Sequence, residues 1–296
     1  MKYIRTIFIL AVALLFAGCG EQPTSPAIVT GLPPVAWIAN EIAGTKHISV
    51  SLLPEGRNPH DYTPGPALLR RASGAKLFLS CGMPFENIAS KALRCRTVDV
   101  TQGIEKIMFD THGKAHHHHH HHHEGEACSD DGSDPHVWLS CRNSIVIAEN
   151  IARALKEIDP ANKELYEKNL SNFRLRATEL ENQLKKQLSP YSGRTFFVYH
   201  PAFGYFAKEF GLVQQSIELS GRETSAARMA EVIKLAKKEN VKVIFTQKEF
   251  NPRSSEMLAR EINGKCVQMD VLAFDVFALI KSIADSIVAG FGGQGK

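Results

Sequence analysis

The chain has 296 residues, 44% of them apolar and 22% charged, and a formal net charge of +4 at pH 7. That composition is globular, and a balance so close to neutral excludes a nucleic-acid partner held by a basic surface. The length suits two lobes better than one core.

Lys2 and Arg5 precede an unbroken apolar stretch over residues 7–17. A charged start and a short apolar run predict a signal peptide over residues 1–18, because the run is too short for an ordinary membrane-spanning helix. Ala17-Gly18-Cys19 resembles a bacterial lipobox. That likeness makes Cys19 the lipidated first residue of the mature protein and places the chain outside the cytoplasm, periplasmic or anchored to a membrane. Residues 19–26, rich in Pro, Ser and Thr, then form a tether.

Residues 27–158 read as a first lobe. Strands are expected over residues 27–31, 47–53, 76–80 and 97–100. Helices are expected over Pro33–Ala43, Pro66–Ala72 and Pro84–Leu93, with Gly or Pro at most joins. One low-complexity insertion, residues 109–132, interrupts the lobe. It carries His116, His117, His118, His119, His120, His121, His122 and His123 in unbroken succession, then Glu124, Glu126, Asp130 and Asp131. An affinity tag is usually terminal, and this run is internal. Imidazole suits Zn, Ni and Cu, so the run predicts an auxiliary metal-binding loop, disordered without metal.

Residues 159–189 read as a linking helix. Asp159-Pro160 is a strong start signal, and no Gly or Pro follows before Leu188. Leu165, Phe173, Ala177, Leu180 and Leu184 form one apolar stripe at helical spacing. The stripe is too short and irregular for a coiled-coil dimer, so a monomer is expected. A rod of ~28 residues spans about 42 Å and leaves little freedom for a wide hinge. Residues 190–296 repeat the first pattern, with strands over 195–199, 213–219, 241–246 and 266–270 and helices over 202–210, 226–239, 252–262 and 273–290. The whole predicts an α/β fold of two lobes, each a parallel sheet flanked by helices, joined by one long rigid helix.

Five cysteines follow Cys19, namely Cys81, Cys95, Cys128, Cys141 and Cys266. An odd number leaves at least one thiol free or paired between molecules, and no two have zinc-finger spacing.

Three isolated histidines share a setting. His60 lies in Asn58-Pro59-His60, His136 in Asp134-Pro135-His136, and His200 in Tyr199-His200-Pro201. The adjacent proline fixes the local backbone and keeps each ring on a loop. Such loops at the C-terminal ends of parallel strands are where open α/β sheets place ligand sites. Asp270 closes the last strand, where a carboxylate is costly to bury unless it meets a cation. It could equally cap the helix that follows. Three imidazoles and one carboxylate make a tetrahedral donor set for Zn.

These segments resemble the solute-binding lipoproteins of zinc and manganese ABC importers. The likeness covers most of the mature chain. It rests on Arg57-Asn58-Pro59-His60-Asp61-Tyr62, the His-rich loop before Asp134-Pro135-His136-Val137-Trp138, Tyr199-His200-Pro201-Ala202-Phe203-Gly204-Tyr205, Val243-Ile244-Phe245-Thr246 and Met269-Asp270-Val271-Leu272. The resemblance implies two α/β lobes around a long helix, with one ion held in the cleft by His60, His136, His200 and Asp270. Two departures bear on the fourth ligand. Val271 replaces the usual proline after Asp270, and Gln247-Lys248-Glu249 lacks the usual Glu-Pro or Gln-Pro pair. Water or Glu249 could therefore complete the shell. The resemblance assigns His47 and His112 no role.

Manganese-type members place a carboxylate where His200 stands, and imidazole in its place favours Zn2+ over Mn2+. The resemblance thus implies a zinc receptor, not an enzyme, that delivers its ion to an ABC permease driven by an ATPase. A zinc-dependent hydrolase is the rival class, but the chain has no His-Glu-x-x-His helix, no Gly-x-Ser-x-Gly elbow and no Gly-rich phosphate loop. A metal-binding adhesin is the third reading.

Overall fold

The computed structural model describes residues 27–108, 132–218 and 225–292. The signal peptide, Cys19 and the run from His116 to His123 lie outside the described residues.

The first lobe follows the order β1 (Ile28–Thr30), α1 (Pro33–Ala43), β2 (Ser49–Ser51), α2 (Pro66–Ala72), β3 (Leu77–Ser80), α3 (Pro84–Leu93) and β4 (Arg96–Asp99). Each of the three helices opens on a proline, whose fixed φ suits the first turn and whose missing N–H is no loss there. The strands pair in parallel in the order β2-β1-β3-β4. Leu77, Phe78 and Leu79 are fully buried in succession, the mark of a strand covered on both faces.

The second lobe holds β5 (Thr195–Val198), α6 (Gly204–Phe210), β6 (Val213–Ser216), α7 (Ala226–Lys238), β7 (Val243–Gln247), α8 (Arg253–Glu261), β8 (Lys265–Met269) and α9 (Val276–Gly292). Its sheet is also parallel, in the equivalent order β6-β5-β7-β8. Alternate residues serve opposite faces. Phe196, Val198, Val243 and Phe245 join the main core, whereas Phe197 and Ile244 join a smaller cluster with Val232 and Leu258.

Between the lobes lie two helices where the sequence pattern gave one. α4 (Cys141–Ile158) begins at Ser140, whose side chain accepts the Asn143 N–H. It buries Ile147, Ile151 and Leu155 at four-residue spacing. Asp159 ends this helix and does not cap the next. Its Oδ2 accepts from Tyr166 Oη at 2.6 Å and Asn162 Nδ2 at 2.8 Å. A short 3-10 turn, Pro160–Asn162, follows, and the long helix α5 (Lys163–Leu188) starts after it. Its 26 residues span about 39 Å.

α5 packs on α4 beside it, on α1 of the first lobe and on α6 and α9 of the second. Phe173 of α5 packs against both Trp37 of α1 and Phe277 of α9, at centroid distances of 5.9 and 4.9 Å. Those two rings also meet each other edge to face at 5.0 Å, closing a three-ring cluster. The main core is therefore continuous through both lobes. Polar clasps add to it: Tyr205 Oη donates to the Asp134 carbonyl at 2.9 Å, and the Cys141 and Arg142 N–H groups donate to Glu209. Among the described residues no helix is long and apolar enough to cross a membrane.

Truncating Phe173 to Ala is expected to cost about 3–5 kcal/mol in urea unfolding, because the void opens where the lobes meet. A change under about 1 kcal/mol would contradict a continuous core. Solution scattering with and without zinc should show only a small change in overall dimensions, whereas wide closure of the cleft would contradict the clasped arrangement.

Candidate metal centre

Two of the three histidines are positioned by the same local device. Asn58 Oδ1 accepts the His60 backbone N–H at 3.0 Å, and Asp134 Oδ1 accepts that of His136 at 2.9 Å. Each is an Asx turn across a proline, a three-residue unit that fixes where the ring begins. His200 is held differently. It lies two residues beyond β5, where Gln247 of β7 clamps its backbone. Gln247 Nε2 donates to the His200 carbonyl at 2.8 Å, and the His200 N–H reaches Gln247 Oε1 at 3.4 Å.

The three rings converge in the cleft, their candidate ligand nitrogens all within 4.8 Å of one another. His136 Nε2 lies 3.2 Å from His60 Nε2 and 3.3 Å from His200 Nε2. Bonds of ~2.0–2.1 Å at tetrahedral angles would set two nitrogens about 3.3–3.4 Å apart, so the spacing suits one ion.

Carboxylates behind the rings decide which nitrogen faces the cleft. His136 Nδ1 is 2.7 Å from Asp134 Oδ1, and His200 Nδ1 is 2.8 Å from Glu218 Oε2. Each Nδ1–H donates to its carboxylate, which leaves Nε2 without a proton and its lone pair aimed at the centre. Gly204 makes the first arrangement possible, since a Cβ there would stand 2.5 Å from Asp134 Oδ2. Phe250 stacks on His200 at 4.7 Å, and Trp138 meets His136 edge-on at 5.4 Å. Trp138 Nε1 also donates to the Val271 carbonyl at 2.8 Å, tying the loop after β8 to the first lobe.

Burial holds His200 well below the ordinary histidine range, with the neighbouring His136 adding to the effect. Burial does the same to His60, helped by His200 and His136. Both rings are thus neutral at pH 7, the form that binds metal. Burial pushes Glu218 up to about 7, against the opposing pull of His136.

Asp270 stands outside this group. It follows β8 directly, as its sequence suggests, but Oδ2 lies 2.9 Å from Lys248 Nζ and Oδ1 accepts the Leu272 N–H at 3.0 Å. Glu249 lines the same cavity as the three histidines. Burial pushes its carboxyl up to about 7, and its Oε2 is buried without a hydrogen-bond partner. His47 pairs with Asp159 at 3.2 Å, outside the group. Cys81, Cys95, Cys141 and Cys266 are free thiols whose protonated form burial favours. His112 and Cys128 lie outside the described residues.

Sequence reading alone gave no role to Asp134, Glu218 or Gln247. Asp134 sits in the histidine's own motif. Glu218 falls inside the strand expected over residues 213–219, whereas β6 ends at Ser216 and leaves it on the loop beyond.

The family model described as zinc-uptake complex component A, periplasmic, matches residues 28–289. The high-affinity zinc uptake system protein ZnuA of Bacillus subtilis is 30% identical, the match covering 92% of this chain and 89% of that protein. The metal ABC transporter substrate-binding lipoprotein FimA of Streptococcus parasanguinis is 27% identical over 89% of this chain and 87% of its own length. The crystal structure of a ZnuA deletion mutant with zinc bound superposes with a TM-score of 0.78 at 30% identity, covering 89% of this chain and 96% of that one.

Glu218→Gln should weaken zinc binding about 10–100-fold in a competition titration, because the carboxylate orients the His200 ring. Unchanged affinity would remove that role. Acid should also weaken zinc binding, since both imidazoles and carboxylates lose donor capacity on protonation. The depressed histidines place their share of the loss below pH ~6.5. An affinity that does not fall even as the pH is lowered through the depressed range of these histidines would contradict imidazole ligation.

Proposed function

We propose that this chain, which belongs to the family of periplasmic component A proteins of zinc-uptake complexes, captures Zn2+ outside the cytoplasm and delivers it to an ABC importer. The observation that carries this reading is the convergence of three buried or half-buried imidazole nitrogens at ligand spacing. His60, His136 and His200 hold the ion through Nε2. An oxygen from Asp270, Glu249 or water completes the tetrahedron. A set of three nitrogens and one oxygen suits zinc, whereas manganese favours more oxygen.

The ion is cargo. The reading assigns the protein no bond-making step, and the site needs only to bind, exclude competitors and release. Its partners are the membrane permease and the ATPase that drives it. Lipidation of Cys19 anchors the chain to the membrane, and the protein acts as a monomer. The run from His116 to His123 supplies extra, weaker zinc equivalents and raises the local supply of ions near the cleft.

His136→Ala is expected to abolish the tight equivalent in a competition titration of Zn2+. Deleting residues 116–123 should remove weak equivalents and keep the tight one. A tight site that survives His136→Ala, or disappears with the loop, would overturn the assignment. In the source cell, deletion of the whole gene should impair growth under zinc limitation, with recovery when zinc is added. Growth indistinguishable from the parent at every zinc level would count against transport.

A further inference from the structure

The His-rich insertion leaves the first lobe after Met108 and returns to it at Ser133, so its stem lies close in sequence to His136. Met108 and Ser133 pair as an antiparallel bridge, which sets Ile107 directly opposite Asp134. The Asp134 N–H donates to the Ile107 carbonyl at 2.7 Å. Residues that face each other in this register ordinarily exchange two such bonds. Here the second bond is replaced. Tyr205 Oη stands between its two halves, accepting the Ile107 N–H at 3.3 Å and donating to the Asp134 carbonyl at 2.9 Å.

The tyrosine belongs to the other lobe. It is the second residue of α6, five residues after His200. Gly204 before it has no Cβ to hold α6 off the Asp134 carboxylate. Tyr205 and Asp134 are both buried, where backbone polar groups must find partners, so the bridging hydroxyl is part of the stem. Asp134 in turn holds His136 twice. Its Oδ1 accepts the His136 backbone N–H at 2.9 Å and faces the ring Nδ1 at 2.7 Å. Where the Asp134 main chain sits therefore decides where the ring sits. One hydroxyl ties the helix that follows His200 to the unit that carries His136.

We propose that Tyr205 is a positioning residue of the zinc site. Its hydroxyl, set into the stem of the His-rich insertion, holds Asp134 where that residue orients His136 against His200. This rests on the reading of His60, His136 and His200 as ligands of one ion. Tyr205 acts through Asp134 and contributes no ligand atom. Without the hydroxyl, the Ile107 N–H and the Asp134 carbonyl already face each other and can bond directly. The stem then closes on itself, keeps its polar groups paired and draws Asp134 out of place. The loss falls on zinc affinity and not on stability.

The test is a zinc competition titration on the full chain, with the metal-free Tm measured alongside. The variants are Tyr205→Phe, Asp134→Ala, the two together, Lys208→Ala and His136→Ala. Tyr205→Phe should bind zinc about tenfold more weakly, the lower end of the loss typical of outer partners of a metal ligand. Its metal-free Tm should fall by no more than about 4 °C, as one hydrogen bond warrants in a chain of this size. The double variant should be no more than about twofold weaker than Asp134→Ala, since both changes act on one ring. Lys208→Ala removes an exposed contact from α6 to Glu105 beside the stem and should stay within about twofold of wild type. Affinity within about twofold of wild type in Tyr205→Phe overturns the proposal. So does a double variant in which the two losses multiply, or an equal loss in Lys208→Ala. A far larger fall in Tm, or failure to fold, in Tyr205→Phe makes its role structural and overturns the proposal as well. In each of those cases loss of tight binding in His136→Ala keeps the three-histidine site standing. Retention of tight binding in His136→Ala overturns the three-histidine reading itself.

Discussion

The arrangement on which the rest depends is a meeting of lone pairs. Asp134 and Glu218 accept hydrogen bonds from the Nδ1–H groups of His136 and His200, so both Nε2 atoms face the cleft bare, 3.3 Å apart. Two bare nitrogens at that distance repel unless something positive lies between them. Burial disfavours a proton on His200. A divalent ion brings enough charge to bind all the rings at once. Three ring nitrogens converging at ligand spacing make a site complementary to a cation.

Such a site needs its parts held still. His60 and His136 come from loops of the first lobe and His200 from the second, so any relative movement of the lobes spreads the donors. The fold limits that movement at the back and at the front. Behind, Phe173 of α5 meets Trp37 and Phe277, one from each lobe, in a mutual cluster of three rings against a single core. In front, Trp138 donates to the Val271 carbonyl, two residues from His136 on one side and next to Asp270 on the other. A carbonyl acceptor serves here whatever side chain stands at position 271, so the loss of the usual proline leaves this clasp intact.

Much of this was legible in the residues. The parallel sheets showed as apolar runs punctuated by Gly and Pro. The adjacent proline marked all three rings as loop residues, and the Asx acceptors of Asn58 and Asp134 that fix two of those turns emerge from the fold. What lay beyond the pattern has physical causes. Ser140 and the spacing of Ile147, Ile151 and Leu155 do signal α4, but the stronger start signal at Asp159-Pro160 masks the fact that one helix ends there. Asp159 spends its carboxylate on Tyr166, Asn162 and His47 instead of on a cap. Asp270, Glu218 and Glu249 all sit at or just beyond strand ends, and that position alone does not separate them. Only the fold shows that Lys248 faces the first, His200 the second and the cavity the third.

The most direct measurement of the central claim is zinc X-ray absorption on the protein loaded with one equivalent of metal. The account requires three imidazole nitrogens at ~2.0–2.1 Å and one oxygen at a similar distance. A shell with sulfur, or with fewer than three imidazoles, would contradict it.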